Sequence, residues 1–310
     1  MRYSAGAGDP GVRAVFYLDR RGRIKLPKGN PYLPVVIRSE RLRGSSRTAT
    51  WHRAARRLVD EMRRRGAANL LHLPPDVDDV RPWTWGGFLV AVRYSYVIDL
   101  PYDPSLMNRS HRSNAAKASR NGLIVQRTEQ IAPVLQCLEA TEERTEFSPR
   151  ISGDELGTAV ALLGCDSLRM YVCCDTAGRA ASACVVLHAP GARAVGWMAG
   201  GRTTVPYEGS SHLLWRAVFD DLASAGAVGI DLCGANIPSV AEFKSRWGAR
   251  LVPTYSVRPY SVRAAARFLW NWKHSRDVGD PDDAVDRRAD GESASNSPVD
   301  ERRGDHGHLA

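Results

Sequence analysis

Two residues close together in the last third of the chain have the chemistry needed to form an amide. Asp231 lies near the end of the run Val228–Leu232, Gly234 follows it, and Lys244 lies in the stretch Val240–Trp247. An amine attacking an activated carbonyl passes through a tetrahedral oxyanion, and one well-aimed cation or amide donor stabilises that species by about 3 kcal/mol. Lys244 suits that role, and Asp231 suits taking a proton from the attacking ammonium or holding the amine. Phe243 and Trp247, four residues apart, would press a short helix against a core and leave Lys244 at its edge. A bland reading stands beside each: a surface lysine, a buried Phe243 anchor, and Asp231 ion-paired with Lys244 or Arg246. Asn236 and Glu242 are further candidates for touching substrate.

Two other groups of residues suit anions. Gly209, Ser210 and Ser211 open a predicted helix just after Tyr207, where amides and hydroxyls can meet a phosphate or simply cap the helix. Arg109, Arg112 and Arg120, with Lys117 nearby, share one face of a predicted helix over 106–120, which is either a phosphate-binding stripe or a solvated basic face. The charge of the whole chain bears on both readings. The chain has 310 residues, 43 Lys+Arg against 34 Asp+Glu and a formal charge of +9. Residues 277–310 hold ten acids and four arginines, so residues 1–276 carry +15. Such a body implies tRNA, a nucleotide or CoA as partner.

The remaining composition excludes more than it assigns. Cys137, Cys165, Cys173, Cys174, Cys184 and Cys233 lack paired metal-ligand spacing and read as small buried residues, with Cys173-Cys174 the one pair worth testing for reactivity. His111, His188 and His212 show neither metal nor triad spacing, so no metal is expected. Mean hydropathy is −0.33 and no apolar run approaches the ~20 residues of a spanning helix, which with the polar N-terminus makes cytoplasmic residence the expectation.

The elements that must position these residues follow from the periodicities. Runs 13–18 and 32–37 predict opening strands, and a helix over 51–65 capped by Thr50 keeps Ala54, Ala55, Leu58 and Met62 on one face. Strands follow at 69–73 and 93–100, the latter alternating through Tyr94, Tyr96 and Ile98. Next come the helix 106–120, a strand 123–127, helices near 130–147 and 152–164, and three antiparallel strands at 169–174, 180–188 and 193–199. A helix 209–225, a strand 228–232, a helix 240–247 and a strand 251–257 complete the order. This is an α+β (α/β) layout built on one mixed sheet flanked by helices. Expected domain limits are 1–103 and 104–258, with an amphipathic helix over 259–276 and a disordered acidic tail over 277–310, where apolar residues are too few to offset ordering entropy.

Three segments resemble the FemAB-like branch of the GNAT acyltransferase superfamily: Trp83–Val90 with Arg93–Leu100, the basic helix Asn108–Gly122, and Gly229–Asn236 followed by Val240–Gly248. The last is the most specific, being similar to that family's Asp-x-x-Gly and Phe-Lys-x-x-Phe/Trp-Gly signature. The resemblance covers roughly residues 80–258. It implies a GNAT-like sheet, often duplicated, so that 1–103 would be a smaller GNAT-like half. It also implies transfer of an acyl or aminoacyl group to an amine on a small molecule or cell-envelope precursor, with Phe243 lining the site.

The N-terminal part is short, and no long helical hairpin resembling the arm of some family members is visible. Residues 201–211 do not match the Arg/Gln-x-x-Gly-x-Gly/Ala loop with which acetyl-CoA enzymes hold pyrophosphate. Together with the +15 body, that mismatch favours aminoacyl-tRNA over acyl-CoA as donor, with no cofactor permanently bound. The rival reading from another class is a catalytically idle RNA- or nucleotide-binding module of the same fold.

Overall fold

A computed structural model describes residues 2–4, 12–27, 29–37, 44–145, 151–202 and 207–260. The helix and tail expected over 259–276 and 277–310 fall almost entirely outside these residues. Three short strands, β1 (Arg2–Ser4), β2 (Val12–Val15) and β3 (Val35–Ile37), make an antiparallel sheet in the order β1-β2-β3. The run expected to be strand from 32 is strand only from 35. Pro31 and Pro34 have no N–H to give a ladder, and they leave Tyr32 in a bend between them.

Helix α1 (Gly44–Arg65) begins earlier than Thr50 implies, because no proline or glycine interrupts Ser45–Arg65; it ends at Gly66, whose φ is +70°. After β4 (Leu71–Leu73), Pro82 opens the five-residue α2 (Arg81–Trp85), which the sequence reading missed. Then β5 (Phe88–Asp99) runs for 12 residues, longer than expected. The rest of the order matches the sequence reading closely: α3 (Arg109–Arg120), β6 (Ile124–Thr128), α4 (Ile131–Thr145), α5 (Gly153–Ser167), β7 (Leu168–Cys174), β8 (Ala180–Leu187), β9 (Arg193–Gly201), α6 (Ser210–Ser224), β10 (Gly229–Asp231), α7 (Pro238–Ser245) and β11 (Arg250–Pro259).

The second sheet is mixed and eight-stranded, in the order β4-β11-β5-β10-β9-β8-β7-β6. Residues 104–258 supply most of it, while β4 and β5 come from before the expected limit at 103. Because β5 pairs with both β10 and β11, the sheet is continuous across that limit. Strands β9 and β10 run parallel and pair only from Arg193↔Gly229 to Val195↔Asp231. Beyond that point β9 continues beside β8 to Gly201, so the sheet splits where β10 ends.

Both faces of the central strands are covered, which explains why β7 and β8 are buried almost throughout rather than on alternate residues. Met170, Val172, Ala183 and Val185 pack toward α4 and α5, with Val134, Leu138 and Leu156. Tyr171, Cys173, Cys184 and Val186 share the other core with Leu214, Val218 and Phe219 of α6 and with Trp247. A third core joins α1, through Ala55, Leu58 and Met62, to Phe16, Leu33, Leu71 and Trp83. The sequence predicts Trp83, Trp85 and Trp215 all as core residues; Trp83 and Trp215 are, while Trp85 is exposed and lies 5.1 Å from the His52 ring. Four cysteines are buried, Cys165 and Cys233 are half-buried, and all six are free thiols. Burial pushes the Cys173 thiol up to about 12, and Cys174 is raised as well, the reverse of an activated pair.

Candidate active site

The split in the sheet is where the candidate residues collect. Asp231 is the last residue of β10 and is 2% exposed. Its Oδ1 accepts hydrogen bonds from the Ser95 hydroxyl of β5 and from the Cys233 amide, the latter at 2.9 Å. Its Oδ2 is buried with no hydrogen-bond partner among the described residues. The chain then turns through two successive left-handed residues, Cys233 (φ 50°) and Gly234 (φ 61°). That conformation costs a residue with a Cβ roughly 1 kcal/mol or more, a strain that clusters at functional sites. The turn stays fixed to β5, because Leu232 and Ala235 donate to the Tyr96 and Tyr94 carbonyls, both at 2.8 Å.

Lys244 reaches the same turn from α7. Its Nζ donates to the Cys233 carbonyl and, at 2.7 Å, to the Gly234 carbonyl. The helix is held from several sides. His111 Nε2 donates to the Phe243 carbonyl at 2.9 Å, the Asn108 amide to the Arg246 carbonyl at 2.8 Å, and the Tyr102 hydroxyl to the Trp247 carbonyl at 2.8 Å. Trp247 is 1% exposed against Tyr102 and Phe219. Just beyond it, a Cβ added to Gly248 would lie 2.7 Å from the Leu106 side chain, so only glycine lets these segments approach. Phe243 is half-buried, its ring 4.9 Å from His111 and 5.2 Å from His212. It is an anchor for the helix that carries Lys244.

The sequence reading missed three members of this cluster. Ser95 lies on the face of β5 opposite Tyr94, Tyr96 and Ile98, the alternation that drew notice. Cys233 looked like any small apolar residue. Tyr32 comes from far up the chain, and its phenol bears on Ser95 and Asp231. Burial, then the neighbouring Cys233 and Asp231, push that phenol far above its ordinary value.

Other candidates lie elsewhere. Asn236 accepts from the Tyr94 amide at 3.1 Å, and Glu242 is exposed and pairs with Arg246 at 2.5 Å. Tyr207 is buried, its hydroxyl 3.4 Å from an Asp175 carboxylate oxygen. Gly209 (φ 82°) precedes α6 with no side-chain cap; a Cβ there would meet the Asn114 carbonyl of α3 at 2.2 Å. Close packing of α3 on α6 therefore demands this glycine, while Ser210 is buried and Ser211 half-buried. Arg109, Arg112 and Arg120 are exposed on α3, and Lys117 beside them is paired with Glu208 at 2.5 Å. Among the described residues, no three or more His, Cys, Asp or Glu are placed to hold a metal ion, and no helix is long and apolar enough to cross a membrane.

No protein-family model matches the chain, and no curated protein matches it. Solved structures do. FemX superposes with a TM-score of 0.59 at 11% identity, over 82% of this chain and 88% of that one. The C-terminal domain (DUF2156) assigned to a lysylphosphatidylglycerol synthetase of Agrobacterium fabrum gives 0.55 at 14% identity, over 86% and 87%. L-PGS from Bacillus licheniformis gives 0.54 at 10% identity, over 85% and 86%. With its mixed sheet split at β10 and helices on both faces, the chain shares the α+β fold of FemX and of the lysylphosphatidylglycerol synthetase domain.

Proposed function

We propose that this protein is an N-acyltransferase that joins an activated aminoacyl or acyl group to a primary amine, with aminoacyl-tRNA as the preferred donor. One observation carries the reading. The Lys244 ammonium and the Asp231 carboxylate grip opposite ends of the same residue, Lys244 on the Cys233 carbonyl and Asp231 on the Cys233 amide, at the point where the sheet opens. A cation and a carboxylate held a few bonds apart in a fixed turn match the two demands of amide formation: a positive group at the oxyanion and an acceptor for the amine's proton.

In the proposed reaction the amine nitrogen attacks the donor's ester carbonyl, a C–N bond forms, and the carbonyl oxygen becomes an oxyanion beside Lys244. The proton lost by nitrogen passes to Asp231. Collapse breaks the C–O bond to the donor's ribose oxygen, which leaves as a hydroxyl after taking up a proton. A thioester donor would follow the same course with a thiol as the leaving group.

The +15 of residues 1–276, the exposed arginines of α3 and the unmatched pyrophosphate loop favour tRNA over CoA. The likeness to an enzyme named for a lysylated product accords with an aminoacyl donor. The acceptor class is an amine-bearing small molecule or a cell-envelope precursor. Incubating the protein with aminoacylated total tRNA or acyl-CoA and a panel of amino-terminal peptides and amino sugars, then seeking the amide by mass spectrometry, tests the reading. No product from any pair, with tRNA still bound, would make it the idle binding module instead.

A further inference from the structure

Helix α1 has two faces, and the fold uses one of them. Ala54, Ala55, Leu58, Val59 and Met62 are at most 1% exposed, packed in the N-terminal core. The other side carries Arg53, Arg56, Arg57, Arg63 and Arg64, all exposed, and Asp60 is the one exposed acid among them. Glu61, half-buried, is tied to Arg64 and Arg65 at 2.5 and 2.6 Å. At 3.6 residues per turn the five exposed arginines fall within roughly a third of the helix circumference, along about 16 Å of its length.

A large aromatic ring stands beside this stripe. Trp85, the last residue of α2, is 59% exposed, and its ring lies 5.1 Å from that of His52, one turn before Arg56. The Arg81 guanidinium sits over the indole, 5.7 Å from its centre. Asp79 fixes the arrangement: its carboxylate accepts from Arg81 at 2.8 and 2.9 Å and lies 2.9 Å from His52 Nε2, and its carbonyl accepts from the Trp51 indole at 3.1 Å. The neighbouring Trp83 is fully buried, so Trp85 alone of this group keeps most of its ring surface outside the core.

Five arginines against one acid fit a polyanion, and the planar guanidinium fork fits phosphate oxygens in particular. A helix that lies on a membrane turns its apolar face to the lipid. The apolar face of α1 is already spent on the protein core, which leaves charge and one indole to meet a partner. Arginines along a line with an exposed aromatic ring beside them are the equipment for a single strand, whose phosphates track the cations while an unpaired base stacks on the ring. In a duplex the bases are stacked on one another and the ring has nothing to meet.

We propose that the outer face of α1, with Trp85, is a docking surface for an unpaired stretch of RNA. The choice of RNA rests on the aminoacyl-tRNA reading above. The surface is separate from the α3 arginines and gives the N-terminal part of the chain a share in holding the donor.

Anisotropy of a labelled single-stranded RNA of about 15 nucleotides, titrated with the whole protein across a salt series, tests this without any transfer activity. Replacing Arg53, Arg56, Arg57 and Arg63 by Ala should flatten the log–log salt slope by about 3 and weaken binding several hundredfold near 0.1 M salt. Lysine at the same four positions should keep the slope. Trp85→Ala should weaken binding about tenfold at every salt concentration and leave the slope unchanged, and Trp85→Phe should keep most of the affinity. All these side chains are exposed, so each variant should melt within about 2 °C of the wild type.

A wild-type slope in the four-alanine variant, with the α3 replacements still flattening it, overturns this inference and leaves the tRNA donor standing. A wild type that binds no RNA even at low salt overturns both. Unchanged affinity in Trp85→Ala, or tighter binding of the same sequence as a duplex or as DNA, overturns the assignment to unpaired RNA. If the four-alanine variant instead loses sedimentation with vesicles rich in phosphatidylglycerol while RNA binding is unaltered, the face is a membrane contact and the inference falls.

Discussion

The turn after β10 and the outer face of α3 both carry charge, and they hold it in opposite ways. At the turn each group is tied to backbone or to a buried neighbour: Asp231 to Ser95 and the Cys233 amide, Lys244 to two carbonyls, and α7 to Asn108, His111 and Tyr102. On α3, Arg109, Arg112 and Arg120 are exposed on a helix whose buried side chains are only His111, Ala115 and Ala118. Fixed charges act on one atom of a bound ligand, with no reorganisation when charge develops there. Solvated charges act on any phosphate within a Debye length, about 8 Å at physiological salt, and lose their effect as salt rises. In the proposed reaction the first region would change a rate and the second raise an affinity.

The sharpest way to break that contrast is at Lys244. Lys244→Met should lower kcat by two to three orders of magnitude, about 3–4 kcal/mol, with little change in donor affinity, because the contact strengthens only in the transition state. Lys244→Arg should rescue poorly, since a planar fork does not replace a compact ammonium between two carbonyls. Full turnover in Lys244→Met would reduce this lysine to a clasp on the turn.

Replacing Arg109, Arg112 and Arg120 by Ala should act the other way, on affinity alone. Each phosphate contact on a single strand contributes a log–log salt slope of roughly −0.7, so three lost contacts flatten the slope by about 2 and weaken tRNA binding about a hundredfold near 0.1 M salt. Filter binding across a salt series measures both. CoA binding that survives the change, with no tRNA affinity even at low salt, would move the donor to acyl-CoA.

What could be read from the sequence divides along the same line. Local signals sufficed for α3, α6, β10 and α7, each marked within its own segment by helical periodicity, by Gly209 or by the Asp231…Phe243-Lys244 spacing. They also sufficed for the sheet class, since β6 to β10 follow one another at short spacing. Three things depended on distant chain. Ser95 matters because β5 is central and pairs with β10, so its buried side chain meets Asp231 on the neighbouring strand. Tyr32 lies between the Gly29–Trp197 and Leu33–His72 bonds, and no periodicity encodes a tie across 168 positions. The strand expected from 32 begins only at 35 because two prolines remove its donors.

Asp231→Asn probes the tied region more gently. The amide keeps the size and can still accept from Ser95 and Cys233, but it neither takes a proton nor attracts an ammonium. Turnover should fall about tenfold near neutral pH. The deficit should shrink as pH rises and the acceptor amine loses its proton unaided. A pH–rate profile parallel to that of the wild type would show that Asp231 only braces the turn.

The smallest effect expected is on stability, at the joint between the two regions. His111 of α3 and His212 of α6 stand edge to face, 4.4 Å apart, beside Phe243. Because His111 Nε2 donates to the Phe243 carbonyl, its Nδ1 carries no proton, and the Nδ1 atoms of both rings are buried with no partner among the described residues. Burial, then His111, then Arg246 push His212 down to about 4, and burial lowers His111 as well. In the unfolded chain both histidines take protons near pH 6.5, so between about 6.5 and 4 the unfolded state binds more protons than the folded one. Stability is therefore full above about pH 6.5 and declines as pH falls toward 4. His212 is partly solvated, so the decline should be on the order of 1–2 kcal/mol, a Tm loss of about 2–4 °C between pH 7 and pH 5. Carboxylates held low by partners, such as Asp79 at about 2, titrate below this window and do not contribute to it. His212→Gln should flatten the Tm-against-pH curve over that range, and a curve as steep as that of the wild type would mean that the pair is not what acid attacks first.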